Sequence, residues 1–300
     1  MSELVQEIEK LKKERQAVIL AHNYQQDAVQ DIADFVGDSL ALSRYAATTR
    51  AKVVVLAGVR FMAESASILA PEKIILLPDS QAGCPLADSI DVEALRETKA
   101  RYPDAAVVCY VNTAADVKGE SDICCTSSNA VAVVQSLPQR RILFVPDRNL
   151  ASFVARFTDK EIIPWDGGCL THYRVTLEEL ERARAAHPEA EVLVHPECRP
   201  EVTRAADFVG STGAILKYAR ESRAKEFLIG TEMGILHRLQ LDNPEKKFYL
   251  LSPGLVCPNM KLTTLEKIAR CLREMQPVVQ VPETTRSRAY RALERMLAIR

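Results

Sequence analysis

No apolar run in this sequence is long enough to cross a bilayer. The longest, such as VVVLAG at 53–58, fall far short of the roughly 20 residues that a spanning helix needs. No excess of one charge sign is present either. The 39 Lys and Arg nearly balance the 40 Asp and Glu, leaving a formal net charge of −1. The totals therefore give no argument for nucleic acid or a membrane surface as a partner. The N-terminus, MSELVQEIEKLKKER, reads as a charged amphipathic helix and lacks the apolar centre of a signal peptide, so the expected location is cytoplasmic. No cysteine is followed by another three positions on, which excludes the closed four-cysteine pattern of a structural zinc ribbon.

What is present is an ordinary globular composition, with 47% hydrophobic and 26% charged residues over 300 positions. Eight cysteines in such a chain point to reduced thiols or a metal site rather than a disulfide framework. Three of them recur in one setting. EKIILLPDSQAGCPLA (72–87), KEIIPWDGGCLTHY (160–173) and KKFYLLSPGLVCPNM (246–260) each run from an apolar strand through a Pro/Asp/Gly-rich turn to Cys84, Cys169 or Cys257. The spacings are 85 and 88 residues. A helix follows each cysteine, with Asp91, Thr176 and Thr263 or Thr264 placed as N-caps.

Two further landmarks keep the period. Ser39, Ser127 and Thr212, each between a loop and a helix, are 88 and 85 residues apart, as are His22, Tyr110 and His195 at strand ends. Strands alternating with helices predict parallel sheets covered on both faces. The expected fold is α/β, with three small pseudo-threefold-related domains around a central active-site cavity. The repeat places them at 1–98 with an N-terminal helix, 99–184, and 185–300 with a closing C-terminal helix.

Ligands of open parallel sheets gather at the carboxyl ends of the strands. There the sequence places His22, Asn23 and Tyr24, then Tyr110 and Asn112, then His195 and Glu197, together with the three register cysteines. Helix N-termini bind phosphate or carboxylate through free N–H groups. Ser39, Ser127 and Thr212 either add hydroxyl donors to such sites or serve only as N-caps. Cys84, Cys169 and Cys257 are expected to share a metal centre, whereas Cys109, Cys124, Cys125, Cys198 and Cys271 are read as packing residues or minor neighbours of the site. Thiolates select zinc or an iron–sulfur cluster. Three cysteines on a cubane would leave one iron open, and an open position is the mark of a catalytic metal acting as a Lewis acid.

With these residues in view the chain resembles the quinolinate synthase family over nearly its whole length. AHNYQ (21–25), GDSL (37–40), GVRFMAE (58–64), GCPLAD (83–88), YVNT (110–113), CTSSNA (125–130), WDGGCLTH (165–172), VHPEC (194–198), GSTGAI (210–215) and CPNMK (257–261) carry the likeness. The resemblance implies a [4Fe–4S] cluster on Cys84, Cys169 and Cys257. It also implies an enzyme of transferase type that condenses iminoaspartate with dihydroxyacetone phosphate in NAD biosynthesis, releasing phosphate and two waters. An oxidase or dehydrogenase would supply the iminoaspartate, and neither nucleic acid nor membrane would be involved.

By the same resemblance, His22, Tyr24, Ser39, Tyr110, Asn112, Ser127, His172, His195, Glu197, Ser211 and Thr212 line the substrate cavity. Glu197 is then the candidate general base, Tyr24 and His22 suit isomerisation and dehydration, and His195 is a further catalytic candidate. Asn112, Ser127 and Thr212 would hold carboxylate or phosphate oxygens. Some members carry CxxCxxC at the last ligand, where this chain has Met260 in the second cysteine position, so a thiol–disulfide switch at that motif is not expected. The rival readings are a binding or sensor protein with the same pocket and a zinc hydrolase on three thiolates.

Overall fold

A computed structural model describes residues 2–299. Three four-stranded, fully parallel sheets form the frame, as the alternation of strands and helices predicts. The first contains β1 (Ala17–His22), β2 (Phe35–Gly37), β3 (Val53–Ala57) and β4 (Ile74–Leu76). The second contains β5 (Ala106–Tyr110), β6 (Ile123–Cys125), β7 (Arg141–Val145) and β8 (Glu161–Pro164). The third contains β9 (Glu191–Val194), β10 (Phe208–Val209), β11 (Glu226–Gly230) and β12 (Lys247–Leu250). The spatial order is the same in each: β2-β1-β3-β4, β6-β5-β7-β8 and β10-β9-β11-β12. The central strands are buried on both faces, which is why VVVLA and AVVCY read as unbroken apolar runs.

The short strands β2, β6 and β10 begin segments that the sequence alone presents as loops before a helix. An acidic residue fixes each of them. Asp34, Asp122 and Asp207 accept hydrogen bonds from the backbone N–H groups of Ile19, Val107 and Val192 at 2.7, 2.7 and 2.8 Å. Each carboxylate thus reaches from the entry of an edge strand to its central neighbour and sets the pairing.

The helix after each register cysteine crosses to the next sheet. Val92–Arg101 packs towards the helix Ala115–Gly119 of the second sheet, and Leu180 of the helix Leu177–Ala186 lies in the core of the third. The helix Leu265–Glu274 returns to the first, where Ile268 and Leu272 pack with Ile19, Val53 and Val55 and with the N-terminal helix Glu3–Arg15. Divisions at 98/99 and 184/185 therefore fall inside linking helices. Asp91, Thr176 and Thr264 cap these three helices, Thr176 within a complete capping box with Glu179; Thr263 is wholly buried beside its cap. The last helix, Glu283–Ala298, lies against Ala115–Gly119 and β6. The ring closes, so the carboxyl ends of all three sheets face one centre.

Candidate active site and metal centre

A cavity of about 240 Å³ occupies that centre. Its walls include His22, Tyr24, Ser39 and Cys84 from the first repeat, and Tyr110, Asn112, Ser127, Cys169 and His172 from the second. The third contributes His195, Glu197, Thr212 and Cys257. Ser211 is not among the lining residues. Its hydroxyl caps the helix Thr212–Glu221 by accepting from the Ala214 N–H.

The capping question resolves in the same place. Asp38 caps the helix Ser39–Thr48 and Ser211 caps Thr212–Glu221, so Ser39 and Thr212 are first helical residues and not caps. Ser127 lies in the turn that precedes the helix Ala130–Ser136. Thr212 Oγ1 accepts from Asn23 Nδ2 at 2.9 Å, which leaves its O–H proton to donate into the cavity. Asp38 joins the three repeats: it accepts from Ser128 Oγ at 2.7 Å and lies 3.5 Å from Ser211 Oγ. A Cβ on Gly213 would meet its Oδ2 at 2.8 Å.

Glu197 is the electrostatic focus. Its Oε2 lies 2.7 Å from His172 Nδ1 and 3.3 Å from His195 Nδ1, and all three side chains are almost fully buried. Burial alone would push its carboxyl up, but the two imidazoles outweigh it and hold the group well below the usual carboxylate range. Its Oε1 has no hydrogen-bond partner, nor does Asn112 Oδ1. Unpartnered buried acceptors in a cavity wall mark places where a ligand completes the bonding.

A polar chain runs away from Glu197. Tyr24 Oη is 2.6 Å from Thr231 Oγ1, which is 2.9 Å from His172 Nε2. With the His172 Nδ1–H donating to Glu197, Nε2 accepts from Thr231, and Thr231 accepts from the Tyr24 phenol. Burial, then the charge of Glu197, raises the phenols of Tyr24 and Tyr110, so both remain protonated. Burial lowers His22 to about 4. Its Nδ1 accepts from the Tyr24 N–H at 3.2 Å, so the neutral ring carries its proton on Nε2.

All eight cysteines are free, and only Cys84, Cys169 and Cys257 are partly exposed. Burial pushes the Cys84 thiol up to about 12, with Glu197 and Cys257 adding to the effect, and raises Cys169 and Cys257 as well. Three thiols that resist ionisation in a shared cavity are suited to a cation, which pulls off the protons when it binds. A second donor set overlaps this one: ligand atoms of Cys169, His172 and Glu197 all lie within 4.8 Å of one another.

Several residues of the site do not stand out from the sequence. Thr231, Glu232 and Asp147 follow the ends of β11 and β7, the neighbours of the central strands whose ends drew attention to His22, Tyr110 and His195. Adjacent parallel strands end together, so the same rule applied one strand further along identifies them. Arg174 also reaches the cavity, from an exposed position beyond His172. Burial and the charge of Glu197 push the Asp147 carboxyl up to about 8; the backbone N–H groups of Leu150 and Cys169, one on each oxygen, favour its ionised form.

Comparison with known proteins agrees over the whole chain. A family model described as quinolinate synthetase A protein matches residues 6–298. A quinolinate synthase of Clostridium kluyveri is 59% identical over 297 residues, covering 99% of this chain and 98% of the relative. That of Alkaliphilus metalliredigens is 57% identical over 298 residues, with the same coverages. That of the archaeon Methanosarcina barkeri is 53% identical over 299 residues, covering 100% and 98%.

Proposed function

The chain belongs to the quinolinate synthase A protein family, and on that premise we propose that it makes quinolinate for NAD biosynthesis. The reaction condenses iminoaspartate with dihydroxyacetone phosphate and releases phosphate and two waters. The setting is the cytoplasm, with iminoaspartate supplied by an oxidase or dehydrogenase. One observation carries the reading: the three register thiols and the unpartnered Glu197 Oε1 share one cavity with hydroxyls set at the starts of helices.

The donor set fits a [4Fe–4S] cluster on Cys84, Cys169 and Cys257. The three thiols are free, partly exposed and without another thiol as partner, and thiolate is the usual ligand of such clusters. When bound, the cluster supplies a Lewis-acidic iron that polarises a substrate hydroxyl or carbonyl.

The chain's own residues do the rest. Glu197, held ionised by His172 and His195, takes a proton at Oε1. His172 and Thr231 link Glu197 to the Tyr24 phenol, so a proton can pass between carboxylate and phenol without reaching water. His22, neutral and protonated at Nε2, donates to a substrate oxygen. His195 Nε2 lies 3.1 Å from Ser127 Oγ and orients that hydroxyl. Ser39, Ser127 and Thr212 donate to carboxylate or phosphate oxygens where the helix dipoles favour negative charge, and the Asn112 amide adds a further contact.

Metal analysis of anaerobically purified protein, combined with product formation from the two substrates, tests the proposal. A brown protein with about four irons and four sulfides that forms quinolinate is expected. Colourless protein with a single zinc on Cys169, His172 and Glu197, the overlapping donor set, and no quinolinate would replace this reading with that of a zinc enzyme.

A further inference from the structure

The pseudo-threefold frame allows the three cysteine loops to be compared atom by atom. One backbone clasp occurs in all three. Arg60 N–H donates to Ala82 O at 2.8 Å, Arg148 N–H to Gly167 O at 2.9 Å, and Met233 N–H to Leu255 O at 2.8 Å. Each acceptor lies two residues before its cysteine. In the second repeat the clasp needs a glycine, because a Cβ on Gly167 would meet Pro146 O at 2.4 Å.

The residue just before each clasp donor differs. In the second repeat it is Asp147, whose Oδ2 accepts from the Cys169 N–H at 3.1 Å while Oδ1 accepts from the Leu150 N–H. In the third it is Glu232, whose Oε1 accepts from the Cys257 N–H at 3.1 Å while Oε2 accepts from the Gly234 N–H. In the first it is Val59, which can accept nothing through its side chain. The Cys84 loop is held instead from the third repeat, where Asn259 Nδ2 donates to Gly83 O at 2.8 Å.

We infer that Asp147 and Glu232 are positioning residues that fix the Cys169 and Cys257 thiols in ligating geometry before the cluster arrives. Neither carboxyl has any exposed surface, and burying one costs free energy unless its bonding is complete. Capping a helix does not require this: Asn or Ser would cap Arg148–Ala155 without a buried acid. A carboxyl is needed to accept two backbone N–H groups at once, one from the scaffold and one from the cysteine itself.

Glu232 has a second task. Lys261 Nζ lies 2.9 Å from its Oε1 and donates to Tyr24 O at 2.6 Å. The Cys257 loop and the Tyr24 loop are therefore fixed to one carboxylate, which couples the ligand set to the proton-transfer groups. Partners of this kind, one step out from a metal ligand, typically change metal affinity or activity by about ten- to a hundredfold when removed.

This inference rests on the cluster reading, and its test separates the two. Iron and sulfide in the anaerobically reconstituted parent decide the cluster. Iron release to a ferrous chelator is then compared among the parent, Asp147→Asn, Glu232→Gln and Asp122→Asn. The amides can accept at only one oxygen, and release is expected to quicken about tenfold or more. Asp122→Asn makes the same change of carboxylate to amide at a carboxylate–backbone bond remote from the cysteines, and should leave the rate unchanged.

Site-resolved alkylation of the apoprotein by iodoacetamide reads the same loops with no cluster present. Asp147→Asn should speed modification of Cys169 alone, and Glu232→Gln that of Cys257 alone. Glu232→Asp, which keeps the charge on a shorter stem, supplies a milder variant if Glu232→Gln does not accumulate in folded form. Parental release and alkylation rates in both positions would overturn the inference, as would an equal effect from Asp122→Asn.

Discussion

Two sets of thiols belong to the same parallel-sheet frame and behave as different materials. Cys109, Cys124 and Cys125 lie within strands, and Cys109 pairs in register with Cys124 across β5 and β6. Cys84, Cys169 and Cys257 lie one turn beyond strand ends, partly exposed in the cavity. Ease of ionisation does not separate the sets. Burial would raise Cys109, yet Cys124, Lys118 and Thr113 outweigh it and bring its thiol down to about 7, whereas burial takes Cys84 up to about 12. Position decides instead. The body of a parallel strand is packed on both faces, and every side chain there must fill space. The carboxyl end faces the gap between sheets, where packing makes no demand and chemistry can.

Substitution of the thiols tests the contrast most severely. Alanine at Cys84, Cys169 or Cys257 should abolish iron binding, whereas Cys109→Ala and Cys271→Ala should retain it; iron and sulfide assays on anaerobically reconstituted protein read both. A full iron complement in Cys257→Ala would remove that residue from the ligand set.

Next in size is Glu197→Gln, which keeps the shape and removes the base. Turnover should fall by about a hundred- to ten-thousandfold with the cluster intact, and quinolinate affinity should change far less. An unchanged turnover number would move the base to Tyr24 or His195.

His22 extends the contrast to stability. Its folded pKa of about 4 lies below the ordinary 6.5, so the unfolded chain takes up the proton first as pH falls. The stabilising effect of the neutral ring is complete above pH 6.5 and is lost progressively towards pH 4, up to about 3 kcal/mol. Thermal unfolding of the apoprotein across this range should show the parent losing more stability than His22→Asn between pH 6.5 and pH 4. Equal slopes in the two proteins would contradict the burial argument.

Two neighbouring hydroxyls give the finest test. Thr212→Val removes a donor facing the cavity, at a cost of roughly 1.5–3 kcal/mol for a bond to a charged group, so quinolinate affinity should weaken by about ten- to a hundredfold in a titration. Ser211→Ala removes a cap and should lower unfolding stability by about 1 kcal/mol, read as a shift in denaturation midpoint. A larger affinity loss from Ser211→Ala than from Thr212→Val would reverse the roles assigned to them.

Much of this was legible in one dimension. A period of 85 to 88 residues, kept by thiols, hydroxyls and strand-end residues alike, shows a triplicated α/β unit and separates three cysteines from the other five. Apolar runs of four to six residues between capped helices determine parallel sheets, because only strands buried on both faces read that way. The motifs name the family.

Other features arise only when the sheets close into a ring. Ser39 and Thr212 look like caps until Asp38 and Ser211 take that task. Thr231 carries no motif, and becomes a link between Tyr24 and His172 only because three distant segments meet. The strand-end rule brings Asp147 and Glu232 to the site, but that they hold the Cys169 and Cys257 N–H groups follows only from the folded loops. A spacing along the chain records which residues repeat, but hydrogen bonds depend on distances and directions in space. Those were decided when the helices after Cys84, Cys169 and Cys257 crossed to the next sheet and brought the three sets of strand ends around one cavity.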